Sequence, residues 1–156
     1  MEKNVNSKGQ IRIKTAVDVV IFNERNQILL GKRLVKVGFG QWGYVGGHLR
    51  VGETILDCGH REIEEEIGKD VVIELNGEIV AVRENSLLPY FEHHITVLIR
   101  GFYVSGEIKV NEPTRCKKWE WFDIGNLPKD LFSGVRETLY NHKKGKVLVI
   151  SDWQNR

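Results

Sequence analysis

The stretch Gly47–Gly68, which reads GHLRVGETILDCGHREIEEEIG, places a glycine-rich turn directly ahead of a carboxylate-rich segment. Residues three and four apart share a face of an α-helix, so Glu62, Glu65 and Glu66 project together. Glu64 points elsewhere. At neutral pH the shared carboxylates repel one another, and a bound cation removes this conflict. Because carboxylate oxygens suit Mg²⁺ or Mn²⁺, the stretch predicts a site for one of these ions.

An apolar stripe along the same helix indicates how the carboxylates face the rest of the protein. Its members recur at helical spacing, and they are Ile55, Leu56, Gly59, Ile63 and Ile67. Glu62 and Glu66 fall at the edge of this stripe, so we expect them where the helix meets the body of the protein. We expect Glu64 and Arg50 to face solvent.

Capping residues mark both ends of this helix. Thr54, followed three residues later by Asp57, is a carboxylate variant of the capping box. Gly68 suits the position just after a helix. The helix is therefore predicted to run to about Ile67.

A run of glutamates is ordinarily a solvated helix face, but the residues around this run argue for chemistry. The order is Gly47, five residues, Glu53, seven residues, Arg61-Glu62-Ile63, one residue, Glu65-Glu66, one residue, Gly68. This spacing resembles the signature of the Nudix hydrolases, with Lys69 standing where the family has an aliphatic residue. The segments 30–33 (LGKR) and 119–121 (WEW) resemble the MutT-like nucleotide pyrophosphohydrolases.

The resemblance implies an α/β fold, the Nudix-type α/β/α sandwich, with a mixed sheet between helices. It implies a divalent-metal-dependent enzyme that cleaves a pyrophosphate bond, with Glu62, Glu65 and Glu66 as metal ligands. Glu53 would complete the metal shell or act as general base, and Arg61 would orient a carboxylate through a bidentate pair. The general base remains open, since the family varies its position; Glu112 on a downstream loop is a second candidate.

Substrate-binding residues are predicted on both sides of the signature. Gly46 and Gly47 let the backbone approach phosphates. Lys32 and Arg33 are candidates to hold phosphate oxygens, although strand-end cations are more often solvated. Thr96 and Phe132 resemble the base-contacting residues of a nucleotide-cleaning branch of the family. His93 and His94 are adjacent in a predicted strand, so at most one faces the cleft.

Further strands and one further helix are predicted along the chain. The strands are 11–22, 28–33, 70–83, 94–104 and 119–122, the helix is 131–142, and the run 146–150 is too short to assign. Asn76-Gly77 is interpreted as a hairpin turn or a bulge.

Composition limits the classes of protein that fit. The 156 residues, 41% of them hydrophobic, suffice for one domain, expected at 11–156 after a flexible tail at 1–10. A net charge of +2 argues against binding to a nucleic acid polymer, and no apolar run approaches the roughly 20 residues that span a membrane. A cytoplasmic location is the simplest interpretation. Cys58 and Cys116 indicate neither a zinc site nor a disulfide framework.

The predicted function is hydrolysis of a nucleoside di- or triphosphate to the monophosphate, in the manner of nucleotide-pool cleaning. ADP-ribose and nucleotide sugars are alternative substrates within the family. An alternative of another class is a catalytically silent sensor that binds a nucleotide. The complete set of signature carboxylates favours the enzyme. The expected partner is a small nucleotide, and a homodimer is left open.

Overall fold

The computed structural model describes residues 8–10, 12–87, 92–142 and 148–153. Helices α1 (Ile55–Ile67) and α2 (Val135–His142) accompany eight strands. The strands are β1 (Ile13–Phe22), β2 (Gln27–Arg33), β3 (Trp42–Gly43), β4 (Val45–His48), β5 (Val72–Leu87), β6 (Glu92–Ser105), β7 (Cys116–Asp123) and β8 (Leu148–Trp153). No helix in these ranges is both long enough and apolar enough to cross a membrane.

The strands form one mixed sheet in the order β3-β2-β1-β6-β5-β8, and β4 and β7 add to β1 and β2 respectively. β1 runs parallel to β6 and antiparallel to β4. This arrangement puts Asp18 opposite Gly46 on one side and opposite Leu98 on the other. The glycine-rich turn before α1 is thereby fixed against the central strand of the sheet.

Alternation along β1 divides the core into two layers. Val17, Val19 and Ile21 pack with Ile63 and Ile67 of α1. Val20 and Phe22 pack with α2 on the opposite face of the sheet, where Val135 and Leu139 are buried. A helix therefore covers each face of the sheet, which confirms the predicted α/β/α sandwich.

α1 has the ends that its sequence predicted. The Thr54 side chain accepts a hydrogen bond from the Asp57 N–H, and Asp57 returns one to the Thr54 N–H, which completes the capping box. Gly68 follows the last turn with a φ of 120°, which favours glycine. The apolar stripe needs one correction: Leu56 is 36% exposed, because it lies on the rim of the stripe.

Two other predictions about elements are settled by the structure. Asn76-Gly77 is a bulge, since β5 continues through it with a shifted register against β6. The helix predicted from 131 begins only at Val135. Gly134 has a φ of 82°, outside the right-handed helical region, and Leu131 instead bridges to Trp42. Of the predicted tail only residues 8–10 are described, and the single domain stays a prediction.

Candidate active site

A cleft of about 230 Å³ opens on the sheet face that also carries α2. Its floor is formed by side chains of three neighbouring strands: Ala16 and Asp18 of β1, His94 and Thr96 of β6, and Arg83 of β5. Gly46, Gly47 and Glu66 line one part of the wall, and Arg33 and Phe132 line another. The cleft thus brings the turn before α1 and the segment before α2 to one place.

The two wall glycines make room for carboxylates of the protein itself. A Cβ on Gly47 would lie 2.3 Å from Oε1 of Glu62, and a Cβ on Gly46 would lie 2.4 Å from both Val17 O and Asp18 Oδ1. The Gly46 N–H donates to Oε2 of Glu66 at 3.2 Å. Any larger residue at these positions would displace the acidic side chains, so the glycines position the carboxylates.

Arg61 connects the acidic residues of the turn and the helix. Its Nε and Nη2 donate to the two carboxylate oxygens of Glu53, the bidentate geometry that the sequence predicted. Its Nη1 donates to Glu62 and, at 3.2 Å, to Oε2 of Glu65. The Arg61 hydrogen bonds hold the pKa of Glu53 down at about 2. Glu53 is therefore held as an anion by a fixed partner.

Of the α1 carboxylates that face the body of the protein, Glu62 is buried and Glu66 is half-buried. Burial, followed by the nearby Glu62, raises the pKa of Glu66 to about 8. Burial also raises the pKa of Glu62, although Arg61 acts in the opposite direction. Hard oxygen donors that are costly to ionise alone are the donor set that a divalent cation stabilises, so these residues fit the predicted metal. Within the described ranges no three acidic, histidine or cysteine side chains are arranged closely enough to hold an ion as they stand.

The remaining glutamates of α1 face outward to different degrees. Glu65 is 41% exposed and contacts Nη2 of Arg50 at 3.2 Å. Glu64 is exposed, as its position on the helix predicted. Arg50 is also exposed, with 60% of its side chain accessible, which agrees with the prediction that it faces solvent.

The predicted phosphate-binding pair is separated by the structure. Arg33 lines the cleft, with its guanidinium 4.3 Å from the centroid of the Phe132 ring. Lys32 is not among the residues that line the cleft, and its Nζ lies 5.1 Å from the Trp42 ring centroid. Consecutive strand residues point to opposite faces, so of this pair only Arg33 lies at the cleft, and phosphate binding by Lys32 stays a prediction.

The other predicted substrate-binding residues do line the cleft. Thr96 is 3% exposed on the floor, and Phe132 forms part of the wall. His94 also faces the cleft, close to His48, whereas His93 pairs with Glu84. The prediction that only one of the adjacent histidines faces the cleft is confirmed.

Two charged residues of the floor, Asp18 and Arg83, were missed by the sequence interpretation. Arg83 is 3% exposed, and its Nη2 lies 3.4 Å from Oδ2 of Asp18. Burial raises the pKa of Asp18, although Arg83 and Arg33 act against it. The signal was a single charge inside each of two apolar strands, at AVDVV and IVAVR.

Comparison with known proteins agrees with this site. A sequence model of the NUDIX domain matches residues 12–142. An ADP-ribose pyrophosphatase from Methanocaldococcus jannaschii is 32% identical over 75% of this chain and 66% of its own length. An oxidized purine nucleoside triphosphate hydrolase from Danio rerio is 30% identical over 70% of this chain and 67% of its own. A crystal structure of a MutT NUDIX hydrolase from Burkholderia pseudomallei has a TM-score of 0.73 and 28% identity, covering 83% of this chain and 97% of that one.

The coverage of the relatives is uneven. The match takes in 66% of the archaeal protein and only 36% to 40% of the bacterial NAD-capped RNA hydrolases that the chain also resembles. The match to the NUDIX domain model, in contrast, includes β1, α1 and α2. The chain therefore belongs to the NUDIX domain family.

Proposed function

We propose that the protein hydrolyses the pyrophosphate linkage of a nucleoside di- or triphosphate and releases the nucleoside monophosphate. One observation carries the proposal: Glu62 and Glu66 lie beside Gly46-Gly47 at a cleft that also presents Arg33 and Phe132. Carboxylates for a metal, a cation for phosphate and an aromatic ring for a base are thus adjacent. These are the parts that hydrolysis of a nucleotide requires.

Glu62, Glu65 and Glu66 would hold Mg²⁺ or Mn²⁺, with Glu62 and Glu66 less exposed than Glu65. Such an ion, when bound, neutralises phosphate charge and lowers the pKa of a coordinated water. Arg61 keeps Glu53 and Glu62 in fixed orientations through its hydrogen bonds. Glu53 is therefore proposed to support the ligand set or to accept a proton from water, and Glu112 remains the second candidate for the base.

Arg33 and Phe132 would bind the rest of the nucleotide. The Arg33 guanidinium is held by the Val37 carbonyl, through Nε at 3.2 Å and Nη2 at 3.1 Å. A guanidinium fixed in this way meets phosphate oxygens with little further loss of conformational freedom. The half-buried Phe132 ring carries the Arg33 guanidinium and would contact a base with its remaining surface, and buried Thr96 adds a hydroxyl on the floor.

ADP-ribose is the second candidate substrate, favoured by the name of the archaeal relative. The name of the Danio rerio relative favours a triphosphate. A cleft of about 230 Å³ accommodates one base and its sugar more readily than both halves of a dinucleotide. We therefore propose the nucleoside triphosphate as the better substrate, with the activity in the cytoplasm.

A substrate screen tests this proposal. The protein is incubated with Mg²⁺ or Mn²⁺ and with nucleoside tri- and diphosphates, ADP-ribose or a nucleotide sugar. Coupling enzymes then release inorganic phosphate from the products, and this phosphate is measured. We expect a triphosphate to have the highest kcat/KM and a chelator to abolish turnover. Binding of a nucleotide without turnover of any substrate would favour the silent sensor instead.

A further inference from the structure

Asp18 is a half-buried carboxylate on the cleft floor that the proposed metal and phosphate chemistry does not use. It stands on β1 with 17% of its side chain exposed, and the next residues on the same face, Val20 and Phe22, belong to the core. Burying a charge inside an apolar strand costs stability. A charged residue that stands at such a position and faces a cleft is a candidate for recognition of the ligand.

Arg83 holds Asp18 in place. Its Nη2 lies 3.4 Å from Asp18 Oδ2, while its Nη1 donates to the carbonyl of Ser133. A Cβ on Gly134 would lie 2.7 Å from Arg83 Cδ, so this guanidinium is packed tightly under the segment before α2. An ion pair of 3.4 Å is long, and a carboxylate has about four acceptor positions. Arg83 therefore positions Asp18 and leaves it capacity for further N–H donors.

The pair stands beside the aromatic wall of the cleft. The Arg83 guanidinium is 5.5 Å from the Phe132 ring centroid, and the Arg33 guanidinium approaches the same ring. A base stacked on Phe132 would present an edge to the floor, where Asp18 and Thr96 lie. The negative charge of Asp18 repels phosphates but attracts N–H groups, so it suits the base and not the phosphate chain.

Resting on the proposed function, we propose that Asp18 determines base specificity by accepting two neighbouring N–H groups, so that the cleft prefers a 2-amino-6-oxopurine. The two oxygens of a carboxylate accept and do not donate. Guanine presents two adjacent donors on one edge, its ring N1–H and its 2-amino group. Adenine, cytosine and uracil have no two adjacent donors on the corresponding edge. Arg83 is the positioning residue in this arrangement.

The test compares kcat/KM for GTP, ITP, XTP and ATP. ITP lacks the 2-amino group, and XTP replaces it with a carbonyl that faces the carboxylate. We expect the wild-type protein to favour GTP over ITP and over XTP by about tenfold or more, the discrimination of a good bidentate pair. In Asp18→Asn the amide offers one acceptor and one donor, which match the N1–H and 2-oxo groups of xanthine. The ratio of GTP to XTP should then fall by about tenfold or more.

Asp70→Asn is the matched control, because Asp70 is 85% exposed and does not line the cleft. The base preference of this variant should equal that of the wild type. A purely structural role for Asp18 would weaken all nucleotides alike and would not improve XTP relative to GTP. Equal kcat/KM for the wild type across the four bases overturns the inference. So does a uniform loss in Asp18→Asn together with a changed metal requirement, which would place Asp18 at the phosphate end.

Binding of GMP, IMP and XMP, measured by calorimetry, separates this inference from the proposed function. Hydrolysis without base preference leaves the proposed function standing and rejects the role of Asp18. Tighter binding of GMP than of IMP and XMP, with no hydrolysis of any triphosphate, supports the role of Asp18 in base recognition and rejects the proposed function. If Asp18→Asn does not fold, the wild-type series still tests the inference, because equal kcat/KM for the four bases overturns it.

Discussion

The α1 carboxylates and the Asp18–Arg83 pair of the cleft floor both carry charge, but the sequence reveals them very differently. Glu62, Glu65 and Glu66 lie within one helix, so their common face follows from helical spacing alone. Asp18 and Arg83 come from β1 and β5, 65 residues apart, and meet only because β6 lies between those strands. Site residues within one helix can thus be identified from sequence spacing. The residues that would recognise the rest of a ligand are brought together only by the strand order.

Arg61 and Arg83 also differ in which parts of the chain they connect. Arg61 is bound to carboxylates on its own helix and on the preceding turn. Arg83 joins two strands and the segment before α2. Disturbing α1 should therefore affect turnover of every substrate, while disturbing the floor or wall should affect which substrate is bound.

The largest effect is expected for Glu66→Gln, which removes charge and barely changes shape. We expect kcat to fall about a hundredfold or more, because a direct metal ligand should matter at least as much as the groups that orient one. Glu65→Gln should also lower kcat strongly. Steady-state kinetics with circular dichroism as a folding control provides the measurement. Near wild-type turnover of Glu66→Gln in saturating metal would show that the ligand assignment is wrong.

Gly47→Ala should lower activity more than stability. The new Cβ would meet the tip of the Glu62 side chain, which can move, and this would displace a proposed ligand by a small distance. We expect a loss of about ten- to a hundredfold in kcat/KM. Gly46→Ala is the informative partner, because its Cβ would meet the backbone oxygen of Val17 and should cost about 1–3 kcal/mol of stability. Equal thermal destabilisation of both variants would contradict this distinction.

Phe132→Ala tests the other side of the contrast. Loss of a ring that stacks on the base should raise KM by about three- to tenfold and lower kcat less. Initial rates over a range of nucleotide concentrations give the two constants. A fall in kcat at unchanged KM would mean that Phe132 acts in the chemical step and not in uniform binding.

Glu64→Gln should have the smallest effect. Glu64 is exposed, and its backbone carbonyl, which the substitution retains, accepts the hydrogen bond from Asn111. We expect changes in stability within about 0.5 kcal/mol and unchanged kcat. Chemical denaturation and the same kinetic assay suffice. A loss comparable to that of Glu66→Gln would mean that the roles of these neighbouring glutamates are misassigned.

The sequence predicted those parts of the fold whose signals are local. Each of three such signals acts within a few residues: the capping box at Thr54, the glycine at position 68 that tolerates a positive φ, and the strand periodicity of β1. The start of α2 was missed because Leu131 continues the helical spacing, yet Gly134 prevents a helix from passing through it. The sequence left open which of Lys32 and Arg33 faces the cleft, because the orientation of a strand residue depends on which face of the sheet is buried.

Product analysis tests the central claim, metal-dependent hydrolysis of a nucleotide at the α1 carboxylates, most directly. A nucleoside triphosphate is incubated with the wild type or Glu66→Gln, with Mg²⁺ or a chelator, and the products are separated by ion exchange. We predict the monophosphate and pyrophosphate in equal amounts from the wild type with Mg²⁺, formation of both about a hundredfold or more slower with the variant, and neither product with chelator. Free phosphate as the sole inorganic product, or undiminished turnover by Glu66→Gln, would contradict the account.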